Sequence, residues 1–149
     1  MIDTARVLLI AAVLPAIGLS SFAWRITRLD PMQPERLIGE LRLAQWAALL
    51  LAAAGAIPIG LAIAKMPAPS ANLDVALGVI FVGLAGIVLQ RDPRDALLLV
   101  AGAFVLHALA DIAHRPDWLT PDLAPRWYTV GCATYNTYLA AVCYWARRR

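Results

Sequence analysis

Hydrophobic and polar positions along this chain fall into blocks. Five stretches carry almost no charge: roughly Thr4 to Trp24, Leu43 to Ala64, Leu73 to Leu89, Ala96 to His114 and Trp127 to Ala146. At ~1.5 Å per helical residue each covers ~25 to 33 Å, close to the ~30 Å thickness of a bilayer's hydrocarbon. The pattern predicts an all-α, polytopic membrane helix bundle of about five transmembrane helices, with residues 1–149 forming one domain. The connections are too short to hold a soluble domain. The third stretch is the shortest, and Asn72, Asp74, Gln90 and Arg91 at its edges are expected to snorkel or thin the bilayer locally. The first stretch has Arg6 ahead of it and Ser21-Phe22-Ala23 near its end, as a secretory signal would. Its apolar run is longer than a usual signal core and contains Pro15 and Gly18, so it reads as a span.

Composition agrees with this reading. The chain is 61% hydrophobic and only 15% charged, where a soluble domain averages about 25% charged. Such a deficit leaves too little charge for a water-facing surface. The basic residues are distributed unevenly between the two sides. With the N-terminus outside, the inner side holds Arg25, Arg28, Arg36, Arg42, Arg91, Arg94 and Arg147 to Arg149, and the outer side holds Arg6, Lys65, Arg115 and Arg126. The excess of arginine on the inner side predicts N-out and C-in. Trp24, Trp46 and Trp145 then fall at the inner interface, and Trp118 and Trp127 at the outer one. The net charge of +3 and the Arg-rich tail are explained by contact with anionic lipid and call for no nucleic acid. The expected partner is the bilayer of a bacterial inner or plasma membrane, with room for a membrane-protein partner or a second copy.

The connections carry helix punctuation. Asp92-Pro93 predicts an N-cap followed by proline in the first turn of the fourth span, and Pro116 closes that span. From Pro34, the residues Leu37, Ile38 and Leu41 alternate with Glu35, Arg36, Glu40 and Arg42. This predicts a short amphipathic helix at the inner interface, or a lead into the second span. Along that span Ala44, Ala48, Ala52, Ala56 and Gly60 recur every four residues, a small-residue ridge suited to close packing within the bundle. Pro15 and Pro58 are expected to kink their helices.

The candidate chemistry centres on the fourth span. At about 100° per residue His107, Asp111 and His114 share one helix face, and these are the only two histidines. Ionisable groups at membrane depth are expensive unless paired or wetted, so they mark a functional site by default. Four readings fit the spacing. Asp111 can serve only to hold an imidazole or Arg115 within the bundle. Two histidines and a carboxylate can ligate a divalent metal ion, with Asp111-x-x-His114 matching the acid-x-x-His step of metal-binding bundles. A carboxylate fixing the tautomer of His107 suits acid–base catalysis or a proton relay. Either histidine can ligate a haem. On the fifth span Tyr128, Cys132, Tyr135, Asn136 and Cys143 fall on one side, and the short connection predicts that Cys132, Tyr135 and Asn136 pack beside His107 and Asp111. The two cysteines lie ~16 Å apart along one helix, too far for a disulfide.

His107-x3-Asp111-x2-His114, followed by Pro125-x-Trp127-Tyr128-x3-Cys132, resembles the C-terminal signature of a small bacterial integral-membrane family known as a domain of unknown function. The resemblance covers about the last third of the chain. It implies a membrane location and a polar cluster near the outer face, and no established reaction. Where that pattern has Asp four residues after the Cys, this chain has Asn136. The segment Arg115 to Arg126, with Asp117, Trp118, Pro121, Asp122 and Pro125, is expected above the cluster as a stiff turn or lid. The leading expectation is a small membrane enzyme acting on a lipid-like molecule, with His107 as base or ligand, Asp111 orienting it and His114 at the mouth. The alternative is a non-catalytic accessory subunit or a small transporter component that passes a proton.

Overall fold

A computed structural model describes residues 4–64, 71–114, 124 and 126–149. Among these the chain forms five helices and no strand: α1 (Thr4–Ile26), α2 (Pro34–Ala64), α3 (Ala71–Val88), α4 (Pro93–Ala113) and α5 (Arg126–Arg148). Two of them, α2 and α4, are long and apolar enough to cross a membrane, while the apolar runs Ile10–Ile26 and Asn72–Val88 are shorter. α2 touches each of the other four helices, and the closest pairs are α2 with α3 and α4 with α5. Asp92 stands at the N-cap of α4, but its side chain makes no capping hydrogen bond; the first turn closes through Ala96 N–H on the Asp92 carbonyl at 2.8 Å. The expected turn or lid at Arg115–Arg126, together with Lys65, Pro116, Trp118 and Pro125, falls almost entirely outside the described residues.

The amphipathic segment from Pro34 is the first turns of one 31-residue helix. It is the lead into the second span rather than a separate interfacial helix. Leu37, Ile38 and Leu41 are exposed, whereas Arg36 and Glu40 are buried, at 2% and 1% exposure. Burial of these charges is tolerable because nearly every polar atom is met. Arg36 Nε donates to Glu40 Oε1 at 2.6 Å, Nη1 donates to the Ile26 carbonyl at 2.8 Å, and Nη2 reaches the Ala146 carbonyl at 3.4 Å. The last carbonyls of a helix have no intrahelical donor and carry partial negative charge. One guanidinium therefore caps the C-terminal ends of α1 and α5, while Glu40 Oε2 lies 3.6 Å from Arg94 Nε at the start of α4. This cluster ties together the ends of four helices.

The alanine ridge of α2 is only partly used. Ala44 and Ala48 are buried, but Ala56 and Gly60 are exposed. The close approach instead runs through Gly55 and Gly78. A Cβ on Gly55 would stand 2.9 Å from Phe81 Cβ and 3.0 Å from the Gly78 carbonyl, and one on Gly78 would overlap Ile59 and sit 2.6 Å from the Gly55 carbonyl. Paired glycines bring the α2 and α3 backbones together, so the two helices pack through direct backbone contact.

Polarity is inverted relative to a water-soluble bundle. Phe104, Leu43, Leu51, Leu97 and Leu139 fill the middle, but Arg36, Glu40, Asp74, His107, Asp111, Thr129 and Asn136 are buried with them. Outward faces on every helix carry large apolar side chains, among them Ile10, Trp46, Ile80, Leu106 and Val130. Large apolar side chains exposed on every helix suit a surface that meets something other than water.

Candidate functional site

α4 and α5 pack as neighbours and bring together three of the polar side chains singled out on them. His107 Nδ1 lies 3.2 Å from Asp111 Oδ2, one turn along α4. Asn136 of α5 donates from Nδ2 to the same Oδ2 at 3.1 Å and approaches His107 Nδ1 to 3.0 Å. Hydrogen on Nδ1 lets the carboxylate accept from both neighbours and leaves Nε2 its lone pair, whereas a bare Nδ1 accepts from Asn136 and puts the hydrogen on Nε2. That Nε2 is buried and has no hydrogen-bond partner among the described residues. The ring is held from its other side by Phe81 of α3, whose centroid stands 4.4 Å away at a tilt of 43°. The orientation of the imidazole is thus set by its surroundings, while its tautomer follows from which neighbour Nδ1 serves, the Asp111 carboxylate or the Asn136 amide.

His114 does not join this group. Its Nδ1 donates to the Ala110 carbonyl at 2.8 Å, and its Nε2 lies 3.0 Å from Asp74 Oδ1 on α3. A carbonyl only accepts, so Nδ1 must carry hydrogen. One further hydrogen then lies between Nε2 and Oδ1, and whichever atom holds it, the pair is neutral overall. Asp74 is buried, against the expectation that it would snorkel, and its Oδ2 is unpartnered. Asp74 is the functional side chain that sequence reading missed. The available signal was a carboxylate three residues inside α3 with no basic residue one turn away on its own helix.

The two histidine–aspartate pairs face one cavity of about 40 Å³, room for a water or a small ion but little more. Its walls include Asp74, His107, Asp111 and His114, together with Tyr128 and Cys132. Pro58 cannot supply the helical N–H that would bond the Ala54 carbonyl, and both residues line the same cavity. On α5, Tyr128 and Cys132 are half-buried against it, Tyr135 packs against the core and Asn136 is fully buried. Cys143 lies in the core with a free thiol. The expected contact of Asp111 with Arg115 falls outside the described residues.

A second cavity, an open groove of about 570 Å³, runs along the outer face of α4 and α5. It shares Asp111 and Thr129 with the first cavity and continues past Val130, Ala133 and Thr137 to Tyr138, whose hydroxyl meets Ser20 Oγ of α1 at 2.7 Å. Asp111 is therefore reachable from the outer face of the bundle.

As a metal centre, the expected set of His107, Asp111 and His114 divides, because the third residue turns to α3. Among the described residues no three His, Cys, Asp or Glu side chains are grouped to share an ion. What the arrangement offers chemically is a base: an imidazole with a free Nε2, its Nδ1 directed at a carboxylate. No protein-family model matches this chain, and no curated protein or solved structure is similar to it.

Proposed function

We propose that this chain is an integral membrane protein of five transmembrane helices, N-out and C-in, in a bacterial inner or plasma membrane. In this reading it is a small membrane enzyme acting on an amphipathic, lipid-like molecule by acid–base chemistry. The membrane assignment is supported by the large apolar side chains exposed on every helix with polar groups buried inside, by the length and apolarity of α2 and α4, and by the arginine bias. The observation that carries the enzymatic reading is the free, buried Nε2 of His107 beside an Asp111 that lines both the inner cavity and the outer groove. A molecule whose tail lies in the bilayer reaches the carboxylate along the groove and presents its head to the imidazole. His107 then takes or gives a proton at Nε2, Asp111 holds the ring and steadies the charge it gains, and Asn136 positions the carboxylate.

The test is a comparison of lipid extracts by mass spectrometry from cells expressing the wild type, His107→Gln or Asp111→Asn, with the amount of folded protein in the membrane matched. At least one amphipathic species should change in abundance with the wild type and stay at its baseline with both variants. Identical extracts from all three would overturn the reading.

The second dyad favours one other function. His114 and Asp74 share a hydrogen on the opposite wall of the cavity, so a water between the dyads would let the site pass protons for a larger membrane complex. In that case the extracts stay unchanged, and the chain co-purifies with a partner subunit in mild detergent.

A further inference from the structure

From the charge and hydrogen-bonding character of the inner cavity we infer the chemical class of molecule it takes: a small ammonium head, the polar end of an amphipathic amine. This inference rests on the acid–base reading above and adds what the substrate must carry.

Electrostatics come first. The His114–Asp74 pair is neutral overall, as shown above. The His107–Asp111 pair, a neutral imidazole beside a carboxylate, carries one negative charge in either tautomer. Asn136, which supports Asp111, is neutral, and among the described residues lining the cavity there is no Arg or Lys. Arg36, the buried cation among the described residues, is committed to Glu40 and two helix ends elsewhere in the bundle. An uncompensated buried charge is costly, and an arriving cation removes that cost.

Hydrogen bonding points the same way. Asp74 Oδ2 is an acceptor, and with hydrogen on Nδ1 so is His107 Nε2; neither has a partner, and both belong to side chains 95% or more buried, Asp74 at 2% and His107 at 5% exposure. The Ala54 carbonyl, freed by Pro58, is a third acceptor among the lining residues. Three acceptors suit the three N–H donors of a primary ammonium. A phosphate or carboxylate head would instead meet the Asp111 carboxylate with like charge and, among the described lining residues, no Arg or Lys.

Size and access complete the case. A space of about 40 Å³ admits an ammonium or methylammonium-sized group and excludes a glycerophosphate. The groove that meets the cavity at Asp111 and Thr129 is walled in part by Ile112, Val130 and Ala133, which fit an alkyl chain. Once bound, the ammonium N–H stands against His107 Nε2, the atom free to accept its proton.

The experiment measures binding of dodecylammonium chloride, methylammonium chloride and dodecyl phosphate to the full chain in dodecyl maltoside by titration calorimetry. Dodecylammonium should bind saturably, one per chain, and at least tenfold more tightly than dodecyl phosphate. Methylammonium should compete with it at higher concentration. Asp111→Asn and Asp74→Asn should each weaken dodecylammonium binding tenfold or more while unfolding as cooperatively as the wild type. Equal affinity for the amine and the phosphate in the wild type overturns the inference without relying on any variant, as does undiminished amine binding in both folded variants. If wild-type extracts change while the amine fails to bind, the head group alone is wrong. If the amine binds but extracts do not change, the cavity is a cation site and the acid–base reading fails.

Discussion

Nε2 of His114 lies 3.0 Å from Oδ1 of Asp74, a contact between α4 and α3 that spans forty residues of sequence. It is nearly closed to solvent, with side-chain exposures of 10% and 1%, and it links helices that otherwise touch over a small area. Removing either partner strands the other in an apolar interior, which costs about 3 to 5 kcal/mol for a buried pair. Asp74→Ala and His114→Ala should each destabilise on that order. The double variant should fall short of the sum by about 0.5 to 3 kcal/mol, the coupling found for residues in direct contact. Reversible unfolding in mixed micelles measures all four corners of the cycle. Strict additivity would show that the contact does not exist.

Arg36 yields a second prediction because its three contacts run to three different helices. Arg36→Ala leaves Glu40 buried, with only Arg94 at 3.6 Å for company, and uncaps α1 and α5. A loss of about 3 to 5 kcal/mol is expected. Arg36→Lys should recover less than half of it, since a single ammonium cannot reach Glu40, Ile26 and Ala146 together. Replacing both partners, as Arg36→Met with Glu40→Leu, should be milder than Arg36→Ala alone because no charge is left behind. Thermal unfolding in detergent ranks the four proteins, and a double variant weaker than Arg36→Ala would refute the account.

How much of this was legible in the residues depends on the reach of each interaction. The five helices follow from where charge is absent, a local property, and their ends agree with the charge-free blocks to within a few residues except at Pro34. The pairing of His107 with Asp111 is a four-residue step on one helix, and the approach of Asn136 follows from a short connection between neighbours; both were readable. The partner of His114 was not, because Asp74 stands on a helix whose packing angle is set by Gly55 meeting Gly78. The alternation at Leu37, Ile38 and Leu41 was readable as amphipathic, but not which face turns inward. In water the charged face would be outside. Here Arg36 and Glu40 are inside, while Glu35 and Arg42 stay exposed, because two carbonyl-rich helix ends wait there for the guanidinium.

The glycine crossing can be tested against glycines elsewhere in the same helices. Gly78→Ala puts a methyl into Ile59 and the Gly55 backbone, and Gly55→Ala drives one against Phe81 Cβ and the Gly78 carbonyl. Overpacking against backbone should cost about 1 to 3 kcal/mol in each case. Gly60→Ala and Gly83→Ala meet nothing within 4 Å, so they should be neutral or stabilise by about 0.4 to 1 kcal/mol through the unfolded chain. A thermal series in which all four behave alike would mean that α2 and α3 do not cross at this point.

Orientation can be tested by chemistry that ignores the site. The chain has two cysteines, Cys132 and Cys143, and replacing both with alanine gives a background for single reporters. A cysteine at Asp122, between α4 and α5, should react with a membrane-impermeant maleimide on intact cells. One at Asp92, exposed between α3 and α4, should react only after the inner face is opened. On the proposed topology α4 crosses the bilayer once, so its two flanking connections lie on opposite sides, with the arginine-rich one, holding Arg91 and Arg94, on the inner side. Labelling in the reverse order would keep the bundle and invert it, moving the cavity mouth to the inner face. Labelling of both positions on intact cells would mean that α4 does not cross, and the intramembrane site would lose its setting.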